Sequence, residues 1–190
     1  KKNTFIFFSS RKVYKSKGNI KENDKLNPLS NYSKNKLITE NLLKSKLKSN
    51  LLILRISNII GFKLKFRKNL HQTFVDLFYK KAKKGFIYDN ANRFKDFLSV
   101  KKFGQILLMM IKKDLRGTYN VSIGKKVYLN QIINWLNKYN KKPLKVIKHK
   151  FTKNQNFYLN NKKLMSKIKI KNELYELKSE CLNLSKKMFN

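Results

Sequence analysis

Tyr32 and Lys36 are the residues of this sequence whose types and spacing point most directly to chemistry. They stand four positions apart, so in a helix both side chains lie on one face, with Cβ atoms about 5–6 Å apart. A nearby ammonium favours the phenolate over the phenol and so lowers a tyrosine pKa from about 10 towards neutrality. Such a pair is suited to acid/base catalysis.

The spacing alone does not single out this pair, because the sequence holds 9 Tyr and 46 Lys plus Arg. Tyr79 with Lys83 and Tyr158 with Lys162 repeat it. The selection must therefore come from the neighbouring segments, and only those around Tyr32 supply a setting for a site.

Two apolar runs flank the pair and predict the strands that position it. Residues 5–8 are Phe-Ile-Phe-Phe followed by two serines, and residues 51–56 are Leu-Leu-Ile-Leu-Arg-Ile. Short apolar runs of this kind are typical of buried parallel strands. A strand, a helix and a strand in this order predict a parallel βαβ unit, whose ligands gather at the carboxyl ends of the strands. We therefore expect Ser10, Tyr32 and Asn58 to converge there.

Five segments in sequence order carry a resemblance. They are SSRKVY at 9–14, NPLSNYSKNK at 27–36 with Glu40 beyond it, LRISNIIG at 54–61, KDFLSV at 95–100 and GTYNVS at 117–122. Together they resemble the extended short-chain dehydrogenase/reductase family, which includes the NAD-dependent nucleotide-sugar epimerases and dehydratases.

The resemblance implies an α/β fold: the C-terminal part of a Rossmann-like doubly wound parallel sheet with a small α/β substrate lobe. Residues 1–61 would belong to the Rossmann-like domain, and 62–190 to a mixed substrate-binding lobe and the remaining sheet elements. The strand, Gly-rich turn and helix with which the family holds the dinucleotide pyrophosphate are not found in these 190 residues, which contain 6 Gly. We expect the chain to be the C-terminal portion of a longer enzyme, inactive by itself.

The resemblance also implies roles for individual residues. Tyr32 would be the catalytic acid/base, Lys36 would hold the nicotinamide ribose, and Ser10 would bind the reacting hydroxyl or carbonyl. The candidate cofactor contacts are Lys36, Tyr32, Ser9, Ile56 and Asn58, and the candidate substrate contacts are Ser10, Asn58, Arg93 and Lys95, the last two towards the diphosphate. Neither histidine has a spacing typical of a metal site, and we assign no metal.

The implied activity is that of a nucleotide-sugar epimerase or reductase that uses NAD or NADP. A dehydratase fits less well, because Arg11 and Lys12 follow Ser10 where dehydratases of the family tend to have acidic residues. The residue that would distinguish NAD from NADP lies in the part of the family pattern that these residues do not contain, so both cofactors stay open.

The net charge of +36 supports a different class of function. An anionic partner such as nucleic acid would account for it, and so would an AT-rich coding bias towards Lys, Asn, Ile and Phe. Nucleic-acid binders usually cluster their basic residues and include Arg, whereas these lysines are spread over the whole sequence. A basic nucleic-acid-binding protein, or a non-catalytic remnant of the family, is therefore the alternative.

The remaining signals concern location and assembly. Cys181 is the only cysteine, which excludes an intrachain disulfide, and no apolar run approaches the ~18 residues of a membrane span, so we expect a cytoplasmic protein. We expect Cys181 to be packed on a terminal helix, and residues 13–27 to form a surface loop over the site. A homodimer through the apolar stripe near Leu42 or Leu77 is a further expectation.

Overall fold

The computed structural model describes residues 3–61, 73–89, 92–149, 156–170 and 173–189. In chain order, its helices and strands are β1 (Phe5–Ser10), α1 (Asn31–Leu47), β2 (Leu51–Ile56), β3 (Asn58–Ile60), α2 (Phe74–Lys84), β4 (Phe86–Asp89), β5 (Phe94–Lys95), β6 (Phe97–Ser99), α3 (Val100–Lys112), β7 (Gly117–Val121), β8 (Val127–Tyr128), α4 (Leu129–Leu136), β9 (Lys145–Lys148), α5 (Lys162–Ile168) and α6 (Leu174–Phe189).

A three-stranded parallel sheet with the order β1, β2, β7 is the centre of the fold. The register sets Ser10 beside Ile56 and Ile56 beside Val121, so the carboxyl ends of all three strands are level. Three two-stranded ladders surround it: β3 with β6 and β4 with β9 are parallel, and β5 with β8 is antiparallel. This parallel arrangement confirms the predicted fold class.

Helix α1 crosses from β1 to β2 and completes the predicted βαβ unit. Its first turn is fixed by a capping box, in which the Ser30 hydroxyl accepts from the Ser33 backbone N–H and the Ser33 hydroxyl accepts from the Ser30 N–H. Such a cap satisfies two backbone donors that a helix start leaves unpaired. The start of α1, and therefore the position of Tyr32 in its first turn, is set locally.

The inward face of α1 differs from the apolar stripe that its leucines predict. Leu42 is 55% exposed, while the buried residues of the helix are Ser33 and Glu40. The reason is a buried basic partner: Arg55 faces α1 from β2 and pairs with Glu40. The ion pair takes the central position on the buried face, and the leucines lie beside it or face outwards.

Helices cover both faces of the sheet because side chains alternate along β2. Arg55 faces α1, whereas Leu52 and Leu54 join a core formed with α3 and α5. A second apolar core packs α2, α4 and α6 against β3 and β6. Its fully buried residues include Phe78, Phe97, Ile132, Leu136 and Cys181.

The segment 13–27 is irregular, as predicted, but it is not a surface loop throughout. Val13, Tyr14 and Ile20 are buried and form a third apolar cluster with Phe157 and Leu159. Ile20 also exchanges backbone hydrogen bonds with residues 158 and 160. Contacts with a segment distant in sequence therefore hold this loop against the body of the protein.

The apolar pattern of the sequence also predicts a short strand at Ile87 and Tyr88, a helix from Leu129 to Tyr139, a strand from Leu144 to Ile147 and a terminal helix from Leu174 to Met188. The structure has β4, α4, β9 and α6 at these places. The same pattern predicts a helix from Leu70 to about Gly85; α2 is Phe74–Lys84, and Leu70 lies outside the described residues. Cys181 is packed as expected, and burial raises the pKa of its thiol to about 12. No helix within the described ranges is long and apolar enough to cross a bilayer. Nor do the described side chains include a group of His, Cys, Asp or Glu able to hold a metal.

Candidate functional site

The carboxyl end of β1 turns directly into a short 3₁₀ helix, Arg11–Val13. Ser10 caps this turn, and its hydroxyl accepts from the Lys12 backbone N–H at 3.2 Å. The cap holds the Ser10 side chain at the end of the strand, half-buried and beside Ile56 of β2. Ser10 therefore lies at the edge of the sheet where ligands of parallel sheets bind.

Tyr32 and Lys36 lie against the same strand end. Lys36 Nζ donates a hydrogen bond to the Phe8 backbone carbonyl at 2.8 Å and lies 5.9 Å from the centroid of the Tyr32 ring. Tyr32 is 48% exposed, so its phenol ring is accessible from solvent. The hydrogen bond fixes the helix that carries the pair against the strand that carries Ser10.

A buried ion pair lies directly beneath these residues. The Arg55 guanidinium donates to both carboxylate oxygens of Glu40, with Nη2 at 2.6 Å from Oε2 and Nε at 3.1 Å from Oε1. Both side chains are almost fully buried. Burial alone would lower the pKa of Arg55, but the hydrogen bonds to Glu40 raise it above its ordinary value. Glu40 is on the same helix as Tyr32 and Lys36, so the pair fastens that helix to β2.

Ser9 is hydrogen-bonded to the buried Arg55–Glu40 pair. It is buried, and its hydroxyl donates to Glu40 Oε1 at 2.5 Å. Ser9 therefore supports Ser10 from below, and a contact from Ser9 to a cofactor would have to come from its backbone. Its assignment as a cofactor contact, like that of Ile56, stays a prediction.

The network continues to the neighbouring strand and loop. Tyr14 Oη accepts from Arg55 Nη1 at 2.8 Å and donates to Asn120 Oδ1 at 3.0 Å, and burial raises the pKa of Tyr14 to about 12. Asn120 Nδ2 donates to the carbonyls of Ile20 and Asn160. Each polar group is thus matched by a partner, which is what burial in a low-dielectric interior requires.

Asp96 holds a second polar centre. Its carboxylate accepts from the backbone N–H groups of Ile123, Gly124 and Leu159 at 3.0 to 3.3 Å. Burial raises the pKa of Asp96 to about 7, against the pull of these hydrogen bonds towards the ionised form. One side chain therefore joins the segment before β6, the loop after β7 and the chain near residue 159.

Asn58, Arg93 and Lys95 lie around this second centre. The Asn58 backbone N–H donates to the Asp96 carbonyl at 3.4 Å, at the start of β3. Arg93 Nη1 pairs with Asp89 at 3.0 Å. Lys95 is half-buried, and desolvation, with repulsion from Arg11, Arg93 and Lys12, lowers its pKa to about 8.

The sequence carried a signal for the buried network that the motif analysis did not use. Arg55 is the single charged residue in an otherwise apolar strand, and a buried charge requires a partner. Glu40, four residues after Lys36, is on the helix that follows the adjacent strand. Nothing in the sequence pointed to Asp96 as the acceptor of three backbone N–H groups. Leu42 and Leu77, the two candidates for a dimer contact, are each about half exposed, and the dimer stays a prediction.

Comparison with known proteins gives a family and a fold. The model of the "NAD dependent epimerase/dehydratase family" matches residues 1–122. No curated protein sequence matches the chain significantly. Many solved structures do match it in fold.

Three of these structures illustrate the enzymes that share the fold and the ligands bound to them. A UDP-N-acetylglucosamine 4-epimerase from Methanobrevibacter ruminantium, in complex with UDP-N-acetylmuramic acid, is 23% identical with a TM-score of 0.76, over 95% of this chain and 61% of its own. RMD from Pseudomonas aeruginosa, complexed with NADPH, is 18% identical with a TM-score of 0.78, over 97% and 65%. A UDP-glucuronic acid 4-epimerase from Bacillus cereus, in complex with NAD, is 18% identical with a TM-score of 0.77, over 98% and 62%. The chain thus spans about three fifths of the length of these structures.

Proposed function

Since the chain belongs to the NAD dependent epimerase/dehydratase family, we propose that it forms the substrate and acid/base part of a nucleotide-sugar epimerase or reductase. The observation that carries this proposal is the Lys36 ammonium, which is bonded to the carbonyl of Phe8 and lies beside the Tyr32 ring. This hydrogen bond holds the Tyr32 phenol, a proton donor, and the positively charged Lys36 near the carboxyl end of β1, where Ser10 also lies.

In the proposed reaction, Tyr32 takes the proton of a sugar hydroxyl or returns it to a carbonyl. A phenol within about 2.6 to 3.2 Å of that oxygen can do so. Ser10 donates a hydrogen bond to the same oxygen and orients it. The Lys36 ammonium stabilises the phenolate, and because one of its three donors is held by Phe8, its position is fixed.

A nicotinamide cofactor, when bound, supplies the donor or acceptor of the hydride. The residues present fit its nicotinamide riboside end: Lys36 offers donors to ribose hydroxyls, and β1 and β2 end level at Ser10 and Ile56, at the sheet edge where ligands of parallel sheets bind. The solved relatives in complex with NAD and with NADPH have the same fold, which supports a nicotinamide cofactor without deciding between the two.

We propose the same division of labour along the chain that the sequence predicts. Residues 1–61 contribute Ser10, Tyr32 and Lys36, and residues 62–190 contribute Arg93 and Lys95 towards the substrate. The third strand of the central sheet, Gly117–Val121, comes from the second range, which is consistent with the remaining sheet elements assigned to it.

Replacement of the phenol tests this function in the protein as expressed from its gene. Tyr32→Phe removes the acid/base but keeps the ring, and turnover of a nucleotide sugar in the presence of NAD or NADP should fall by about 10² to 10⁴. Tyr175→Phe is the matched control, because Tyr175 is 72% exposed on α6 and should leave turnover unchanged. Equal turnover of Tyr32→Phe and the unchanged protein would refute the assignment.

A further inference from the structure

Four cationic side chains collect on the loop side of the site. Arg11 and Lys12 follow β1, Arg93 directly precedes β5, and Lys95 is the last residue of β5. The Phe94 backbone N–H, next to Lys95, donates to Asn156 Oδ1 at 3.0 Å, and Arg11 stacks on the ring of the neighbouring Phe157, so the two segments lie side by side. Burial, together with repulsion from Arg11, Arg93 and Lys12, lowers the pKa of Lys95 to about 8. Residues distant in sequence therefore form one positive cluster.

The cluster has too little negative charge to balance it. Asp89 is the acidic residue that acts on Lys95 among the described residues, and it already pairs with Arg93 at 3.0 Å. Of the charged groups that act most strongly on the Lys95 ammonium, three are cations and one is a carboxylate. An arrangement in which like charges are held together in a partly desolvated place is typical of a site that binds the opposite charge.

Arg11 is held as a binding residue would be. Its guanidinium stacks on the Phe157 ring, with Cζ 3.7 Å from the centroid, and Nη1 donates to Ser16 at 3.2 Å. Its Nε is shielded from solvent and has no hydrogen-bond partner among the described residues. Burial lowers the pKa of Arg11 to about 10, so it stays charged at neutral pH.

Lys12 is the member of the cluster that lies beside Tyr32, the proposed acid/base. Its Nζ lies 5.4 Å from the centroid of the Tyr32 ring. In the proposed function Tyr32 contacts the hydroxyl of the reacting carbon, so an anion bound to Lys12 lies within about one sugar ring of that carbon. The anomeric carbon of a nucleotide sugar carries the diphosphate and has no free hydroxyl, so the reacting carbon is a different one.

We propose that Arg11 and Lys12 form an anion-binding subsite beside Tyr32, which selects a nucleotide sugar whose ring carries a carboxylate. This inference rests on the proposed function, because that function places the sugar at Tyr32. It adds a second negative group on the substrate, distinct from the diphosphate, towards which Arg93 and Lys95 are predicted to lie. A planar carboxylate also suits the Arg11 guanidinium, whose N–H groups can bond both of its oxygens.

A matched pair of ligands tests the subsite. UDP-glucuronic acid and UDP-glucose differ only in a carboxylate or a hydroxymethyl group on the sugar, and their dissociation constants can be measured by calorimetry. We expect UDP-glucuronic acid to bind about tenfold more tightly, as a charge-assisted hydrogen bond allows. In Lys12→Met the ratio of the two constants should fall towards one, and in Lys12→Arg, which keeps the charge, it should be largely retained.

Lys34→Met separates this effect from general attraction. A chain of net charge +36 attracts any more anionic ligand, and Lys34 is an exposed lysine on the same helix as Tyr32. Its replacement removes the same charge outside the subsite and should leave the ratio unchanged. A ratio that falls equally in Lys34→Met and Lys12→Met would overturn the subsite.

The remaining outcomes separate this inference from the function on which it rests. If both ligands bind equally to the unchanged protein, or if Lys12→Met weakens both equally, the cluster binds the diphosphate and the carboxylate proposal is wrong. In that case the loss of turnover in Tyr32→Phe would still stand. If neither UDP-sugar binds to protein that circular dichroism shows to be folded, the subsite and the proposed function both fail.

Discussion

Two charged regions lie near the end of β1 and differ in their balance of charge: a buried ion pair on the side of the sheet covered by α1, called the lower region, and a cluster of cations on the loop side, called the upper region. In the lower region, the Arg55 guanidinium meets the Glu40 carboxylate in a buried pair whose oxygens also accept from Ser9. In the upper region, Arg11, Lys12, Arg93 and Lys95 form a cluster of four cations in which Asp89 pairs with Arg93. The lower region is balanced within the protein, and the upper one is not.

The difference separates charges that hold the fold from charges that await a ligand. A buried ion pair with all its hydrogen bonds made is costly to break, because either partner left alone is an uncompensated charge in a low dielectric. A cluster of like charges lowers stability until an anion binds it. Removal of one charge should therefore destabilise the lower region and stabilise the upper one.

The largest effect is expected for Arg55→Met. It leaves the Glu40 carboxylate buried and unpaired, which should lower the free energy of unfolding by about 3–5 kcal/mol, as measured by urea denaturation. The double variant Arg55→Met with Glu40→Met removes both charges and should recover much of that loss. If the double variant is less stable than Arg55→Met alone, the pair is not the source of the effect.

A smaller loss is expected for Asp96→Ala. Asp96 is a buried acidic residue like Glu40, but its carboxyl group is satisfied by backbone donors rather than by a cation. It therefore tests whether a buried carboxyl group needs a basic partner. Its removal leaves the N–H groups of Ile123, Gly124 and Leu159 without their acceptor, and the free energy of unfolding should fall by about 3 kcal/mol. Asp114→Ala, an exposed carboxylate paired with Arg116, should cost less than about 1 kcal/mol in the same denaturation experiment.

The smallest effect has the opposite sign. Lys95→Met removes a desolvated and repelled ammonium, and at pH 7 it should raise the free energy of unfolding by about 1 kcal/mol. If Lys95 instead held the fold together, the variant would be less stable than the unchanged protein, and the comparison between the two regions would break.

The pH dependence of that gain follows from the pKa of Lys95. The pKa is about 8 in the folded protein against an ordinary 10.5, so between these values the unfolded chain binds more protons than the folded one. The cost of the charged Lys95 is present in full below pH about 8 and disappears as the pH rises towards about 10.5. The stability difference between Lys95→Met and the unchanged protein should shrink over this window, as thermal melts at several pH values would show.

The local elements could be predicted because their signals are local. The spacing of Tyr32 and Lys36 and the apolar run of β2 are each contained in a few residues, and the structure has the predicted elements there. The order of the five motifs gave the family, which the family model confirms over residues 1–122.

The electrostatics of the site could not be predicted in the same way, because they depend on residues that only the folded chain brings together. Arg11 and Lys95 belong to distant segments, and no pattern in either one indicates the other. The buried face of α1 was predicted wrongly for a related reason. Periodicity favours leucine over glutamate on a buried face, but the buried Arg55 of β2 needs a carboxylate partner, so Glu40 is buried in place of a leucine. The sequence did carry a signal for that pair, a single charge in an otherwise apolar strand, but hydrophobic periodicity does not use it.

The topology of the central sheet also determines how the protein reaches its folded state. Phe5 pairs with Leu51, and Leu52 pairs with Gly117, so neighbouring strands of this sheet are separated by many residues in the sequence. Because all three strands are parallel, no hairpin can nucleate the sheet. Loop-closure entropy is therefore lost before the pairing is gained, which makes such folding slow compared with that of proteins rich in local contacts. Until the strands pair, the apolar residues of β2 are not covered by their neighbours, and exposed apolar surface of this kind favours association between folding chains.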